Sequence, residues 1–126
     1  MRLSRREKYL DESMKIITQT LTLDELQRLA EETFGDMIKA VVDVDRKLLA
    51  VDAELHSDLE AVLLEDGSKQ KNLWGINLYP ETDGNDFVEF DSMINVRPSQ
   101  GNRSRGVEDE GIRERILQIV NGKIKR

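Results

Sequence analysis

The stretch from residue 97 to residue 106 concentrates side chains that bind anions. It reads RPSQGNRSRG, with three arginines, two glycines and no acidic residue. A guanidinium presents paired N–H donors that fit phosphate or carboxylate, and glycine lets a loop turn sharply and expose its amides. The stretch matches no established phosphate-loop motif. It predicts a site for a phosphorylated small molecule or nucleotide, formed by Arg97, Gln100, Asn102, Arg103 and Arg105.

Residues 97–106, which we call the arginine loop, also fit a loop whose positive charge is neutralised by other residues of the protein. Glu108, Asp109 and Glu110 follow the arginines directly and can pair with them. Acidic residues at the start of a helix also repel a phosphate from that end, so an anion would have to be held by the loop itself. The residue types leave both interpretations open.

A second group of candidates lies on the polar face of the predicted sheet. Glu54, His56 and Asp91 have side chains that transfer protons, and with the arginine loop as an anion clamp they indicate a hydrolase or transferase as the alternative function. Alternating charges are also ordinary on the solvent-facing side of an antiparallel sheet. The full polar set comprises Asp43, Asp52, Glu54, His56, Asn77, Tyr79, Glu89, Asp91 and Asn95.

Composition limits the remaining classes of site. There is one histidine and no cysteine, so neither a histidine-rich nor a thiolate metal site can be built, and no metal is predicted. No motif identifies a cofactor. No window approaches the run of about 18 apolar residues that a membrane helix needs, so we expect a soluble, cytoplasmic protein without a membrane partner.

Charge is distributed unevenly along the 126 residues. The net charge is −6, residues 21–67 carry −9, and residues 97–126 carry +4. Nucleic-acid binding by bulk charge is therefore not expected. The basic C-terminal end favours a third alternative, a module for protein interaction or homo-oligomerisation that has no small-molecule site.

Capping motifs predict the helices. Thr22 and Glu25 form a capping box that starts a helix from Leu23 to about Thr33, with Phe34 on its buried stripe. Ser57 and Glu60 form a second box, which starts a short helix that ends before the glycine at position 67. A third helix follows the arginine loop, because residues 108–110 are acidic and an apolar stripe comes after them.

Alternating apolar residues predict the strands. Residues 37–56 read as a β-hairpin in which Val44 lies opposite Leu49 and residues 46–47 form the turn. Residues 73–80, with Trp74 in the core, and residues 87–97 read as two further strands. The segment MKIIT at 14–18 favours one more strand.

This order of elements predicts an α+β fold. Residues 14–126 are expected to form a single two-layer domain with an antiparallel sheet of four to five strands and helices packed on one face. The length and the 38% hydrophobic content support one core. Residues 1–13 are expected to be an N-terminal extension outside that domain.

Two longer stretches carry a family resemblance. LLEDGSKQKNLWGINLYP and FDSMINVRPSQGNRSRGVED resemble a small family of uncharacterised archaeal and bacterial proteins, classed only as a domain of unknown function, over Met14 to Lys125. The resemblance implies a compact intracellular domain. It supplies no activity and no catalytic residue.

Overall fold

The computed structural model describes residues 15–126, and its centre is a five-stranded antiparallel sheet. The strand order is β1-β4-β3-β5-β6. These strands are β1 (Lys15–Ile17), β3 (Ile38–Asp43), β4 (Leu48–Val51), β5 (Leu73–Leu78) and β6 (Val88–Glu89). A separate parallel pair joins β2 (Leu21–Thr22) to β7 (Ile124–Lys125).

Within the described residues, three helices cover this sheet: α1 (Leu23–Glu32), α2 (His56–Glu65) and α3 (Glu110–Lys123). Helices α1 and α3 share a buried apolar cluster with Val42 of β3, whereas α2 packs in a second cluster with Val41. Neighbouring residues of a strand point to opposite faces, so the helices lie on both sides of the sheet.

The α+β class and the antiparallel sheet are confirmed, but the placement of every helix on one face is wrong. The two central strands read IKAVVD and LLAV, and both Val41 and Ala50 are fully buried on the second face. A nearly continuous apolar run of this kind indicates a strand that is buried on both faces. Helix α2 covers that second face.

Both ends of helix α1 agree with the prediction, but the burial expected for Phe34 is wrong. The side chain of Thr22 accepts a hydrogen bond from the Glu25 amide, and the Glu25 carboxylate accepts one from the Thr22 amide. Phe34 was expected in the core but is 43% exposed. The helix ends at Glu32, so the apolar stripe does not reach this ring.

The hairpin of β3 and β4 forms in a register different from the one predicted. Val42, and not Val44, lies opposite Leu49, and residues 44–47 form a four-residue connection. The shift is two residues, so each side chain keeps its face of the sheet.

Asp43 explains the longer turn of this hairpin. One oxygen of its carboxylate accepts hydrogen bonds from the amides of Asp45 and Arg46, both at 2.9 Å, and the other accepts one from the Ser68 hydroxyl. Asp43 is completely buried, although the sequence placed it on a polar face. Aspartate commonly stabilises turns by bonding to backbone amides just ahead of it.

Helix α2 does not use its predicted cap. It begins at His56, and no side chain caps its N-terminus, so the capping box of Ser57 and Glu60 is wrong. Its C-terminal end is as predicted, because Gly67 adopts φ +110° and the amide of Ser68 reaches back to the Leu63 carbonyl at 2.9 Å.

The predicted strand over residues 87–97 is much shorter in the structure. Strand β6 ends at Glu89, and residues 93–95 form a helical turn. Asn95 is fully buried, and its side chain pairs with the backbone of β5 as a neighbouring strand would. Its side-chain oxygen accepts from the Gly75 amide (2.8 Å), and its side-chain nitrogen donates to the Gly75 carbonyl (3.0 Å).

The remaining expected elements are present. Strand β1 pairs with β4, Trp74 is 3% exposed, and α3 starts at Asp109, whose carboxylate accepts from the Ile112 amide. The extension predicted at residues 1–13 lies outside the described residues. Among residues 15–126, every helix falls short of the length and apolar character that crossing a membrane requires.

Candidate functional site

The arginine loop is a tight turn closed by backbone hydrogen bonds at its base. The Arg97 amide donates to the Asn102 carbonyl at 2.7 Å, and the Asn102 amide donates back at 3.1 Å. Between them residues 98–100 form a helical turn, and Gly101 adopts φ +83°. The backbone here is therefore fixed within the loop.

Arg97 uses its guanidinium to attach this loop to the start of β5. It donates to the carbonyls of Gln70 (2.6 Å) and Leu73, and it lies over the Trp74 ring at 4.2 Å from the centroid. Burial lowers the pKa of Arg97, which the charge of Glu60 opposes.

Gln100 reinforces the same attachment. Its side-chain amide donates to the Lys71 carbonyl at 3.3 Å and accepts from Arg97 at 3.3 Å. Both predicted anion ligands thus bind the protein's own backbone or each other.

Asn102 organises the interior of the loop. Its side-chain nitrogen donates to the carbonyls of Asn95 (2.7 Å) and Gly106 (2.8 Å), and its oxygen accepts from the Glu108 amide at 2.8 Å. The residue is 4% exposed. Its polar atoms are therefore engaged in holding the loop together.

Arg103 is exposed, and its guanidinium takes no part in the bonds that close the loop. The carboxylate of Glu108 instead accepts from the backbone amides of Arg103 and Ser104, both at 2.8 Å. These bonds lower the pKa of Glu108. The acid after the loop thus bonds to its backbone, not to an arginine side chain.

The last predicted ligand, Arg105, points to a different region of the molecule. It lines an open cleft of about 500 Å³ on the α2 side of the sheet, between the first turn of α2 and the strands β5 and β6. Its backbone is held firmly, because its carbonyl accepts from the Ser92 amide and from the Asn95 side chain, both at 2.9 Å.

A row of polar side chains crosses this cleft. Lys39 of β3 pairs in register with Asn77 of β5, which pairs with Glu89 of β6. Directly paired residues point to the same face, so the strands themselves place these three side chains side by side. The polar residues of the cleft are Lys39, His56, Ser57, Asn77, Tyr79, Glu89, Asp91, Ser92 and Arg105.

His56 is buried at the edge of this row, with 7% of its surface exposed. Its Nε2 lies 2.7 Å from the Ile76 carbonyl oxygen, which can only accept, so Nε2 carries the proton. In the neutral ring Nδ1 is therefore the unprotonated nitrogen. Burial lowers the pKa of His56, and the charge of Lys39 lowers it further, against the Ile76 hydrogen bond and the Asp91 charge.

Gly75 makes room for this arrangement. A Cβ at this position would lie 2.5 Å from the Ser92 Cβ and 3.2 Å from the His56 Cδ2. The Ser92 hydroxyl is thus near the Cδ2 edge of the imidazole, and it accepts from the Ile94 amide at 3.2 Å.

The side-chain nitrogen of Asn77 has hydrogen-bond partners, whereas its side-chain oxygen has none in the described residues. Its nitrogen donates to Glu89 at 2.9 Å, and the Tyr79 hydroxyl donates to the same carboxylate oxygen at 2.9 Å. Burial and then Glu89 raise the pKa of Tyr79. The side-chain oxygen of Asn77 is buried and has no hydrogen-bond partner within the described part of the chain.

Two cations lie at the cleft. The Nε of Arg105 donates to Asp91 at 2.6 Å, while its two terminal nitrogens have no partner among residues 15–126. The Lys39 ammonium lies over the Phe34 ring, 5.4 Å from the centroid, and forms no ion pair in that same range. Both cations therefore retain hydrogen-bond donors for a ligand.

The structure brings two of the three acid–base candidates together in the cleft and leaves the third outside it. His56 and Asp91 line the cleft together, whereas Glu54 is exposed and is not part of its lining. From the polar face predicted earlier, Asp43, Asp52 and Asn95 are buried. Across the described residues, no three of the histidine and carboxylate side chains are grouped to hold a metal ion.

Lys39 is the residue of the cleft that sequence reasoning missed as a ligand-binding cation. The signal was present, because Lys39 alternates with the buried residues Ile38 and Ala40 and so shares the face of Asn77.

Comparison with known proteins gives a family and no activity. A family model described as Protein of unknown function (DUF5674) matches residues 15–123. No curated protein and no solved structure matches the chain.

Proposed function

We propose that this chain, which belongs to the family of proteins of unknown function DUF5674, binds a small phosphorylated molecule in the cleft beside His56. The observation that carries the proposal is the state of Arg105. Its side chain is 56% exposed, its Nε donates to Asp91 at 2.6 Å, and its terminal nitrogens have no partner in the described residues. A guanidinium held on one side presents its other donors in a fixed direction, which suits bidentate capture of phosphate.

The size and composition of the cleft support a small ligand. A volume of about 500 Å³ accommodates a molecule of metabolite size, and pockets for such molecules combine apolar walls with a few convergent polar groups. Lys39 supplies a second cation near Arg105. The carboxylates of Glu89 and Asp91 already accept hydrogen bonds from Tyr79, Asn77 and Arg105, which reduces their repulsion of an anion.

The arginine loop then has a supporting function. Arg97 and Asn102 fix the loop to the sheet, and the bonds to the Arg105 carbonyl hold that residue over the cleft. The anion-binding chemistry predicted from the sequence is assigned to Arg105 within the cleft. Arg103 is assigned no contact with the ligand.

Isothermal titration calorimetry with inorganic phosphate tests this assignment. Arg105→Gln should weaken phosphate binding about tenfold, because a charge-assisted bidentate contact is lost, and Lys39→Gln should weaken it about threefold. Arg103→Gln removes the same charge from the same loop and is the matched control, for which the Kd should stay within about twofold of the wild type.

Two results would overturn the proposal. One is a loss for Arg103→Gln as large as the loss for Arg105→Gln, which would place the anion on the loop. The other is the absence of any binding by the wild-type protein.

A further inference from the structure

One buried hydrogen-bond acceptor on the floor of the cleft has no partner within residues 15–126. It is the side-chain oxygen of Asn77, a residue that is 6% exposed. With Nε2 bonded to the Ile76 carbonyl, the Nδ1 of neutral His56 is a further acceptor in the lining of the cleft. Unsatisfied buried polar atoms are rare in folded proteins and point to a group that is missing from the structure.

From these acceptors we infer that the ligand carries hydroxyl groups which donate to the floor of the cleft, so that it is a phosphorylated polyol or sugar. This inference rests on the proposed function, because it needs the phosphate to be held by Arg105 and Lys39. It adds that the end of the ligand away from the phosphate presents hydroxyl groups.

The charges around the floor of the cleft favour a hydroxyl group over an ammonium group as the hydrogen-bond donor of the ligand. Lys39 lies beside the floor and already disfavours a positive charge on His56. The nearby carboxylates do not compensate for a second cation there, since Asp91 is paired with Arg105 and Glu89 accepts from two donors. A neutral hydroxyl supplies the donor without adding charge.

Protonation of His56 should remove this specificity. Asn77 acts as a hydrogen-bond partner that favours the protonated ring, so the imidazolium would donate to the Asn77 oxygen and the two free acceptors would be lost together. The groups around the ring are Lys39 from β3, Tyr79 after β5, Glu89 from β6, Asp91 from the segment that follows β6, and Arg105 from the arginine loop.

The test compares glycerol 3-phosphate with methyl phosphate, which share the phosphate monoester and differ in the hydroxyl groups. By calorimetry at pH 7.5, glycerol 3-phosphate should bind about tenfold more tightly, because its hydroxyls satisfy buried acceptors. Equal affinities would overturn this inference and leave the proposed function intact. Failure of both probes to bind would overturn the proposed function itself.

A variant of Asn77 and a pH series on the wild-type protein give two further tests, and the second does not depend on whether a variant folds. Asn77→Ala should reduce the affinity ratio of the two probes to about one, whereas Asn85→Ala, outside the cleft, should keep the ratio. In the wild type the ratio should fall as the pH is lowered through the folded pKa of His56, which lies below the ordinary value of 6.5. A ratio that is constant with pH would contradict the inference even if the variant fails to fold.

Discussion

The arginine loop and the cleft contain the same kinds of residue, but more of the polar side-chain atoms are paired in the loop, although there the Nε of Arg97 is buried without a partner in the described residues. In the loop the side chains of Arg97 and Asn102 donate to backbone carbonyls at several points. In the cleft the oxygen of Asn77 has no partner in the described chain, and Arg105 keeps two terminal nitrogens free there. A ligand can use only the second kind of group.

This difference shows what residue types indicate and what they leave undecided. Arginine and asparagine bind phosphate well, and they bind backbone carbonyls equally well. Which of these they do depends on whether the fold leaves backbone groups unpaired nearby. The irregular segment at residues 92–106 has few ladder hydrogen bonds, so most of its polar side chains are used to satisfy its own backbone.

The largest effect should come from removing one asparagine of the loop. Asn102→Ala should lower the free energy of unfolding by about 3 kcal/mol, because two buried carbonyls and the Glu108 amide lose their partner. Asn77→Ala is the matched change in the cleft and should cost only about 1 kcal/mol, since a hydrogen bond to the exposed Glu89 carboxylate and a long one of 3.4 Å to the Asp91 carbonyl are lost. Urea denaturation of both variants measures the difference, and equal losses would remove the distinction between the two regions.

The packing beneath the cleft gives the next effect in size. Gly75→Ala should destabilise the protein by about 2 kcal/mol, because the new methyl group would overlap Ser92. Gly122→Ala in α3 is the control, as nothing lies within 4 Å of its added Cβ, and it should raise stability slightly. A neutral Gly75→Ala would show that Ser92 and His56 are not held against this strand.

The smallest effect should be a pH dependence of stability that comes from His56. Its pKa in the folded protein lies below the ordinary value of 6.5, so the unfolded chain binds the proton more readily. The stabilising contribution of the neutral ring is complete above pH 6.5 and is lost progressively as the pH falls toward the folded pKa. Thermal unfolding between pH 7.5 and 5.5 should show this decline in the wild type and a weaker one in His56→Gln; identical slopes would contradict it.

Local sequence signals predicted much of the fold. The Thr22 capping box, the Trp74 strand and the C-terminal helix are determined by short-range patterns, and they are present as expected. The resemblance to an uncharacterised family is confirmed by the match over residues 15–123. Burial of β3 on both faces was readable from its continuous apolar run, but it was interpreted as alternation.

Other features depend on contacts between distant residues and were out of reach. The strand predicted through Asn95 fails because that side chain bonds to Gly75, 20 residues earlier in the chain. The hairpin register depends on the carboxylate of Asp43 bonding within the turn. For the site, residue type identified Arg105 and His56, whereas the fold alone places them in one cleft with Lys39. The hydrolase or transferase and interaction-module alternatives remain predictions.

The most direct measurement of the central claim is an NMR titration of the ¹⁵N-labelled protein with inorganic phosphate, which reports where the anion binds. We expect saturable shifts at the amides that border the cleft, including Asn77 and Ser92, and at the side chain of Arg105. Residues 98–103 should remain unaffected, because the loop only supports Arg105. Shifts confined to the loop, or shifts that never saturate, would contradict the assignment of the cleft as the binding site.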